Sequence, residues 1–227
     1  MKITYLGHAS LLIETAGKKL IIDPFISGNP LIKDKLLPEN IQADYILITH
    51  AHQDHVLDVE TIAKANPEAK IISNFEIVTY YSKLGIEGHP MNHGGSWNFD
   101  FGRVTMVNAW HSSSFADGTY GGNPAGFVIE SNNKSVYIAG DTGLTMDMKL
   151  IPLFTKLNLA VLPIGDNFTM GVESAVIAAD FVECNQILGY HYDTFGYIEI
   201  DHEKAKEAFD KSGKELILLP LLNSIEI

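Results

Sequence analysis

Disulfide bonds cannot hold this chain together, because Cys184 is its only cysteine. That excludes the small disulfide-stapled scaffolds of secreted domains. Long apolar runs are missing too: none reaches the roughly 18 residues that a membrane-spanning helix needs. Residues 1–8 lack the apolar stretch of a secretory leader. Positive charge is scarce, with 16 Lys and Arg against 28 Asp and Glu and a net charge of -12, and there is no basic stretch. Such a surface repels phosphate backbones and anionic lipid, so no nucleic-acid partner and no membrane partner is expected. A bound metal cation would reverse this field locally. Low-complexity segments, long linkers and short-period repeats are absent as well. A soluble cytoplasmic protein is the simplest reading. Nothing in the sequence specifies or forbids a homo-oligomer.

The chain has 227 residues, 46% of them hydrophobic, enough for one sizeable core. We read residues 1–227 as a single domain. Short strand-like runs at 3–6, 10–14 and 19–22 are separated by Gly-containing turns. Residues 27–40, with Pro30 and Pro38, read as a long loop. Helical spacing is expected over 56–65 and 75–84, with a strand at 71–72 between them. Strands are expected at 97–101, 103–110, 127–130 and 135–139, the last two joined by a turn-rich segment. Then follow a strand at 159–162, a helix at 173–183, a strand at 186–188, a helix at 203–209 and a last strand at 216–219. Hairpin-like strands early in each half, then helix–strand alternation, suit two packed sheets with helices outside them.

Three of the nine histidines crowd into Thr49-His50-Ala51-His52-Gln53-Asp54-His55, directly after the apolar run Tyr45-Ile46-Leu47-Ile48. A buried strand ending there would deliver ligands to one point. Imidazole and carboxylate together suit a zinc-class ion. His50 and His52, two apart in extended backbone, project to one side. Asp54 and His55 are adjacent and point apart, which serves two metal positions better than one. His111, Asp141 and His191 each follow an apolar run, where strands leave a core and ligand sites form.

In order and spacing, His50, His52, Asp54, His55, His111, Asp141 and His191 resemble the metallo-β-lactamase-fold hydrolases over nearly the whole chain. Residues 6–10, 22–25, 92–95, 162–171 and 191–195 narrow the resemblance to the compact UPF0173-type metal-dependent hydrolases, related to the ascorbate-6-phosphate lactonases. The resemblance implies a four-layer αββα sandwich with the site at one edge of the two sheets. It implies two divalent metal ions, zinc first, with Mn, Fe, Co or Ni as alternatives. One would be held by His50, His52 and His111, the other by Asp54, His55 and His191, with Asp141 bridging. A hydroxide shared by the metals would attack a small ester, lactone or phosphoester, and Asp54 would orient it or accept its proton. One departure is Gly189-Tyr190 before His191, where relatives often carry an apolar residue and a proline.

Other residues carry weaker signals. Asp23 is either a partner to the second ring nitrogen of a ligand histidine or a turn residue before Pro24. His8 and Asp166 lie in loops that the resemblance puts near the site. His93 sits in a Gly-rich turn, His89 and His202 read as surface residues, and Cys184 as a structural thiol. Four other functions stand beside hydrolysis. An iron-dependent oxidoreductase on this fold usually has a glutamate at position 52, and no flavin domain is present. A thioester or persulfide enzyme would keep several of the histidines. A nuclease would need a nucleic-acid-binding region, and a non-catalytic metal-binding protein would not need every ligand.

Overall fold

The computed structural model describes residues 1–227. Its two seven-stranded sheets follow one plan. In the first, β1 (Lys2–Gly7), β2 (Ser10–Thr15) and β3 (Lys18–Ile22) run antiparallel. Parallel β4 (Tyr45–Leu47), β5 (Lys70–Asn74) and β6 (Gly88–Met91) extend it on one side. In the second, antiparallel β7 (Ser96–Phe99), β8 (Gly102–Asn108), β9 (Ala125–Ser131) and β10 (Lys134–Ile138) are followed by parallel β11 (Leu159–Pro163), β12 (Gln186–Tyr190) and β13 (Glu215–Ile217). The last strand, β14 (Ser224–Glu226), returns to the first sheet and pairs antiparallel with β1.

Burial on both faces explains the continuous apolar runs. Leu20 and Ile22 point between the sheets, while Ile21 faces outward. Leu47 points inward between Ile46 and Ile48, which face outward, and Leu159 and Val161 alternate with Ala160 and Leu162. The inward set meets Val104, Met106, Phe127 and Ile138 of the other sheet to form the central core. Outside the first sheet, α2 (Val59–Ala65) and α3 (Phe75–Ser82) cover Ile46, Ile48 and Ile71 with Val59, Ile62 and Ile77. Outside the second, α4 (Val172–Phe181) and α5 (His202–Lys211) bring Ala175, Ala178, Ala179, Ala205 and Phe209 against it. The layers are therefore αββα, as the sequence predicts. No helix is long and apolar enough to cross a membrane.

Several boundaries differ from expectation. The helix expected over 56–65 is two pieces, α1 (Gln53–Val56) and α2, interrupted at Leu57 and Asp58. The Asp58 carboxylate accepts from the backbone N–H groups of Ile26 and Ser27, which ties the break to the loop after β3. Strand β8 ends at Asn108, so Ala109 and Trp110 are not part of it. The strand expected last, over 216–219, is β13, and β14 follows it. The sequence reading also misses β6. Its residues Gly-His-Pro-Met have poor strand propensity, and its pairing with β5 makes it a strand.

Candidate metal centre

Every site residue lies where a strand of either sheet ends on the same side of the sandwich. His8 follows β1, Asp23 follows β3, and His50 to His55 run from beyond β4 into α1. His111 lies beyond β8, Asp141 beyond β10 and His191 directly after β12. The backbone there is unusual. His8, Asp23 and His191 have φ of 54°, 43° and 55°, the left-handed region that non-glycine residues rarely adopt. Such conformations cluster at functional sites, where surrounding contacts hold them. One such contact is the His191 N–H bond to the His8 carbonyl, 2.8 Å. Before Asp141, Gly140 has φ 67°, and a Cβ there would fall 2.6 Å from the Ala125 carbonyl oxygen. The departure at Gly189-Tyr190 is accommodated: Gly189 lies against Ile164, and Tyr190 is buried between the sheets.

One carboxylate oxygen is the focus of the cluster. Asp141 Oδ2 lies 3.0 Å from His191 Nε2, 3.3 Å from His55 Nε2, 3.6 Å from His111 Nε2 and 3.9 Å from His50 Nε2. On one side of it, the rings of His50, His52 and His111 are mutually 4.6 to 5.1 Å apart. On the other, His8, Asp54, His55 and His191 offer ligand atoms within 4.8 Å of one another. His50, His55, His191 and Asp141 are buried, while His52, Asp54 and His111 are partly open to solvent. These three mark the side of the cluster that faces solvent.

Asp23 resolves the choice left by the sequence. Its Oδ1 accepts the Thr49 N–H, and its Oδ2 accepts the Thr49 hydroxyl at 2.6 Å and His55 Nδ1–H at 2.9 Å. With its hydroxyl proton given to Asp23, Thr49 Oγ1 accepts from His50 Nδ1–H at 3.0 Å. One carboxylate thus fixes the tautomers of two histidines and aims both Nε2 lone pairs into the site. His52 sets its Nε2 3.3 Å from the Ser112 hydroxyl and turns Nδ1 toward His50 Nε2, 3.0 Å away. His8 Nε2–H donates to Asp54 Oδ2 at 2.9 Å, and Thr194 Oγ1 lies 3.0 Å from His8 Nδ1. The sequence reading had no signal for Thr49 and Thr194; their hydroxyls matter only once the fold sets them beside these imidazoles. Asp166, with φ 62°, is exposed and outside the ligand cluster. Its loop is tied to that of Asp141 by the Met170 N–H bond to the Thr142 carbonyl, 3.0 Å.

Charge in the cluster is arranged for a cation. Burial, then the proximity of His55, pushes His50 well below the usual imidazole range. Burial and then His191 push His8 down to about 4. Burial lowers His52 and His111 as well. Burial alone would raise Asp54 and Asp141, but the surrounding imidazoles hold both below the usual carboxylate range. Burial works against a proton on His55, yet Asp141, Asp23 and Asp54 together carry it well above its ordinary value. Within the cluster, four buried polar atoms have no hydrogen-bond partner: His55 Nε2, Asp141 Oδ1, and both ring nitrogens of His191. Of these, His55 Nε2 and His191 Nε2 lie 3.3 and 3.0 Å from Asp141 Oδ2, and buried imidazole nitrogens without partners beside an ionised carboxylate fit a divalent metal.

A family model described as the beta-lactamase superfamily domain matches residues 2–191. A metal-dependent hydrolase of the UPF0173 group from Flavobacterium johnsoniae is 66% identical over the full length of both chains. The chain belongs to the UPF0173 metal-dependent hydrolase family of the beta-lactamase superfamily. Another family member, from Methylacidiphilum infernorum, is 46% identical over 99% of each chain. Among solved structures, Igni18, a metallo hydrolase from Ignicoccus hospitalis, superposes with TM-score 0.89 at 33% identity, covering 99% of this chain and 97% of its own. Within this family chain the other histidines have local roles. His93 Nε2 bonds the Pro124 carbonyl, His89 packs on Trp97, and exposed His202 pairs with Asp193. Cys184 is buried, and that burial raises its thiol pKa.

Proposed function

We propose that this metal-dependent hydrolase cleaves a small ester, lactone or phosphoester with a pair of divalent metal ions, zinc first among them. His50, His52 and His111 would hold one ion, and Asp54, His55 and His191 the other, with Asp141 between them. The observation that carries this reading is the convergence of four imidazole nitrogens on Asp141 Oδ2 at 3.0 to 3.9 Å. When bound, such ions supply an acidified water and a Lewis acid for the oxygen that gains charge.

The remaining steps belong to the chain. Asp54 lies on the open face with Oδ2 held by His8, so its carboxylate orients the attacking water or takes the water's proton. His52 and His111 frame the same opening and set how close a substrate comes to Asp141. Buried His50, His55 and His191 exclude bulk water from the floor, which strengthens every charge interaction there.

Asp54→Asn tests the assignment, because it keeps the size of the side chain and removes its basicity. Turnover of p-nitrophenyl esters or bis(p-nitrophenyl) phosphate should drop by about 10²–10⁴-fold at equal metal loading. Unchanged turnover at equal loading would remove Asp54 from the chemistry.

A further inference from the structure

The segments that deliver the site residues share a composition. Residues 7–9, 23–32, 48–58, 109–124, 140–146, 164–171 and 191–201 contain no lysine or arginine. Instead, Lys2, Lys18, Lys70, Arg103 and Lys134 stand at the first residues of β1, β3, β5, β8 and β10 or directly after, at the opposite end of the sandwich. Lys33 and Lys35, either side of Asp34, lie further along the loop after β3. Acidic Asp117, Asp166, Asp193 and Glu199 are on the site segments.

The same segments expose aromatic rings. Phe195 is 37% exposed, and its ring lies 5.4 Å from that of buried His8. Phe25 backs both, 5.5 Å from His8 and 6.2 Å from Phe195. Beyond Phe195, Tyr197 at 80% exposure meets Phe168 at a centroid distance of 6.4 Å. Two aromatic groups, His8 with Phe25 and Phe195 and then Phe168 with Tyr197, are linked through Phe195 and Tyr197, two residues apart, and make up a strip from buried His8 to exposed Tyr197. Isolated exposed apolar side chains are ordinary, whereas aromatic rings grouped on one segment beside a polar centre mark a ligand-binding surface.

We infer that the site takes an uncharged carboxylic ester or lactone whose acyl chain lies along Phe195, Phe168 and Tyr197, with buried Phe25 behind Phe195. This rests on the hydrolase reading above and narrows it to substrates whose tail, lying away from the metal-binding residues, carries no phosphate or carboxylate group. The reaction adds a water oxygen to the acyl carbon, breaks the acyl C–O bond and passes the water's proton to the leaving oxygen. An anionic tail would meet acidic side chains and no cation on the site segments, whereas methylenes laid on the strip leave water.

The test compares p-nitrophenyl acetate, butanoate and octanoate on metal-loaded protein, with p-nitrophenyl hemisuccinate and p-nitrophenyl phosphate as anionic probes. Calorimetric titration with acetamide, hexanamide and octanamide measures the strip without turnover. For esters and amides alike, kcat/KM or affinity should rise about fourfold per buried methylene. The hemisuccinate should fall about tenfold or more below the butanoate, and the phosphate should not be turned over. Phe195→Ala should flatten both chain-length series. Phe168→Ser, at an exposed ring, does the same without burden on folding. Ester hydrolysis without chain-length dependence overturns the strip and leaves the hydrolase reading intact. Chain-length-dependent amide binding with no hydrolysis of any probe overturns the hydrolase reading and keeps the strip. Faster turnover of the phosphate or the hemisuccinate overturns the exclusion of anions.

Discussion

Asp23 has the widest reach of any single side chain at the centre, although the proposed ligand sets do not include it. It accepts from the Thr49 N–H, the Thr49 hydroxyl and His55 Nδ1–H, and through Thr49 it sets the tautomer of His50. Asp23→Ala should therefore lower metal affinity by about 10–100-fold, measured by chelator competition, with the fold preserved by circular dichroism. The raised pKa of His55 sets a direction for pH dependence. Under the proposed ligand assignment, a proton occupies this ring without metal, so metal binding should release protons and weaken as pH falls. Calorimetry in buffers of different ionisation enthalpy should give an apparent binding enthalpy that depends on the buffer; a buffer-independent value contradicts this. Cys184, whose pKa is raised by burial, should react with a thiol reagent far more slowly in the native protein than in urea.

At the scale of elements, the histidine window was legible because its residue types and spacing suffice without the fold. His111, Asp141 and His191 each follow an apolar run, a weak signal alone, and it is the family resemblance in order and spacing that singles them out. The left-handed backbone at His8, Asp23 and His191 was not, since no local signal distinguishes a strained histidine from an ordinary one. The break between α1 and α2 also escaped, because Asp58 makes it through contacts with residues some 30 positions earlier, Ile26 and Ser27. Short β6 and β14 exist through their pairing with β5 and β1 and carry little pattern of their own. Gly140 is the turn on which Asp141 depends. Gly140→Ala sets a Cβ against the Ala125 carbonyl at positive φ. It should cost about 1–3 kcal/mol in urea unfolding of the metal-free protein and weaken metal binding as well.

Across the whole molecule, the two sheets repeat one arrangement: a flanking strand, three antiparallel strands, then three parallel ones. The repeat leaves no short-period trace in the sequence, yet it brings His8 and His111 to equivalent strand ends, and likewise Asp23 and Asp141. The centre is thus assembled from both halves, so metal should link them. Saturating metal should raise Tm by about 5–11 °C if free metal exceeds Kd about 100-fold, given about 2.7 kcal/mol from binding and about 2–4 °C per kcal/mol. The central claim is the paired metal centre around Asp141. Elemental analysis of the metal per chain, after loading and removal of excess ion, tests it most directly. The account predicts two equivalents for the native sequence and loss of at least one in Asp141→Ala. A native chain that retains a single equivalent, or an Asp141→Ala chain that retains two, would contradict it.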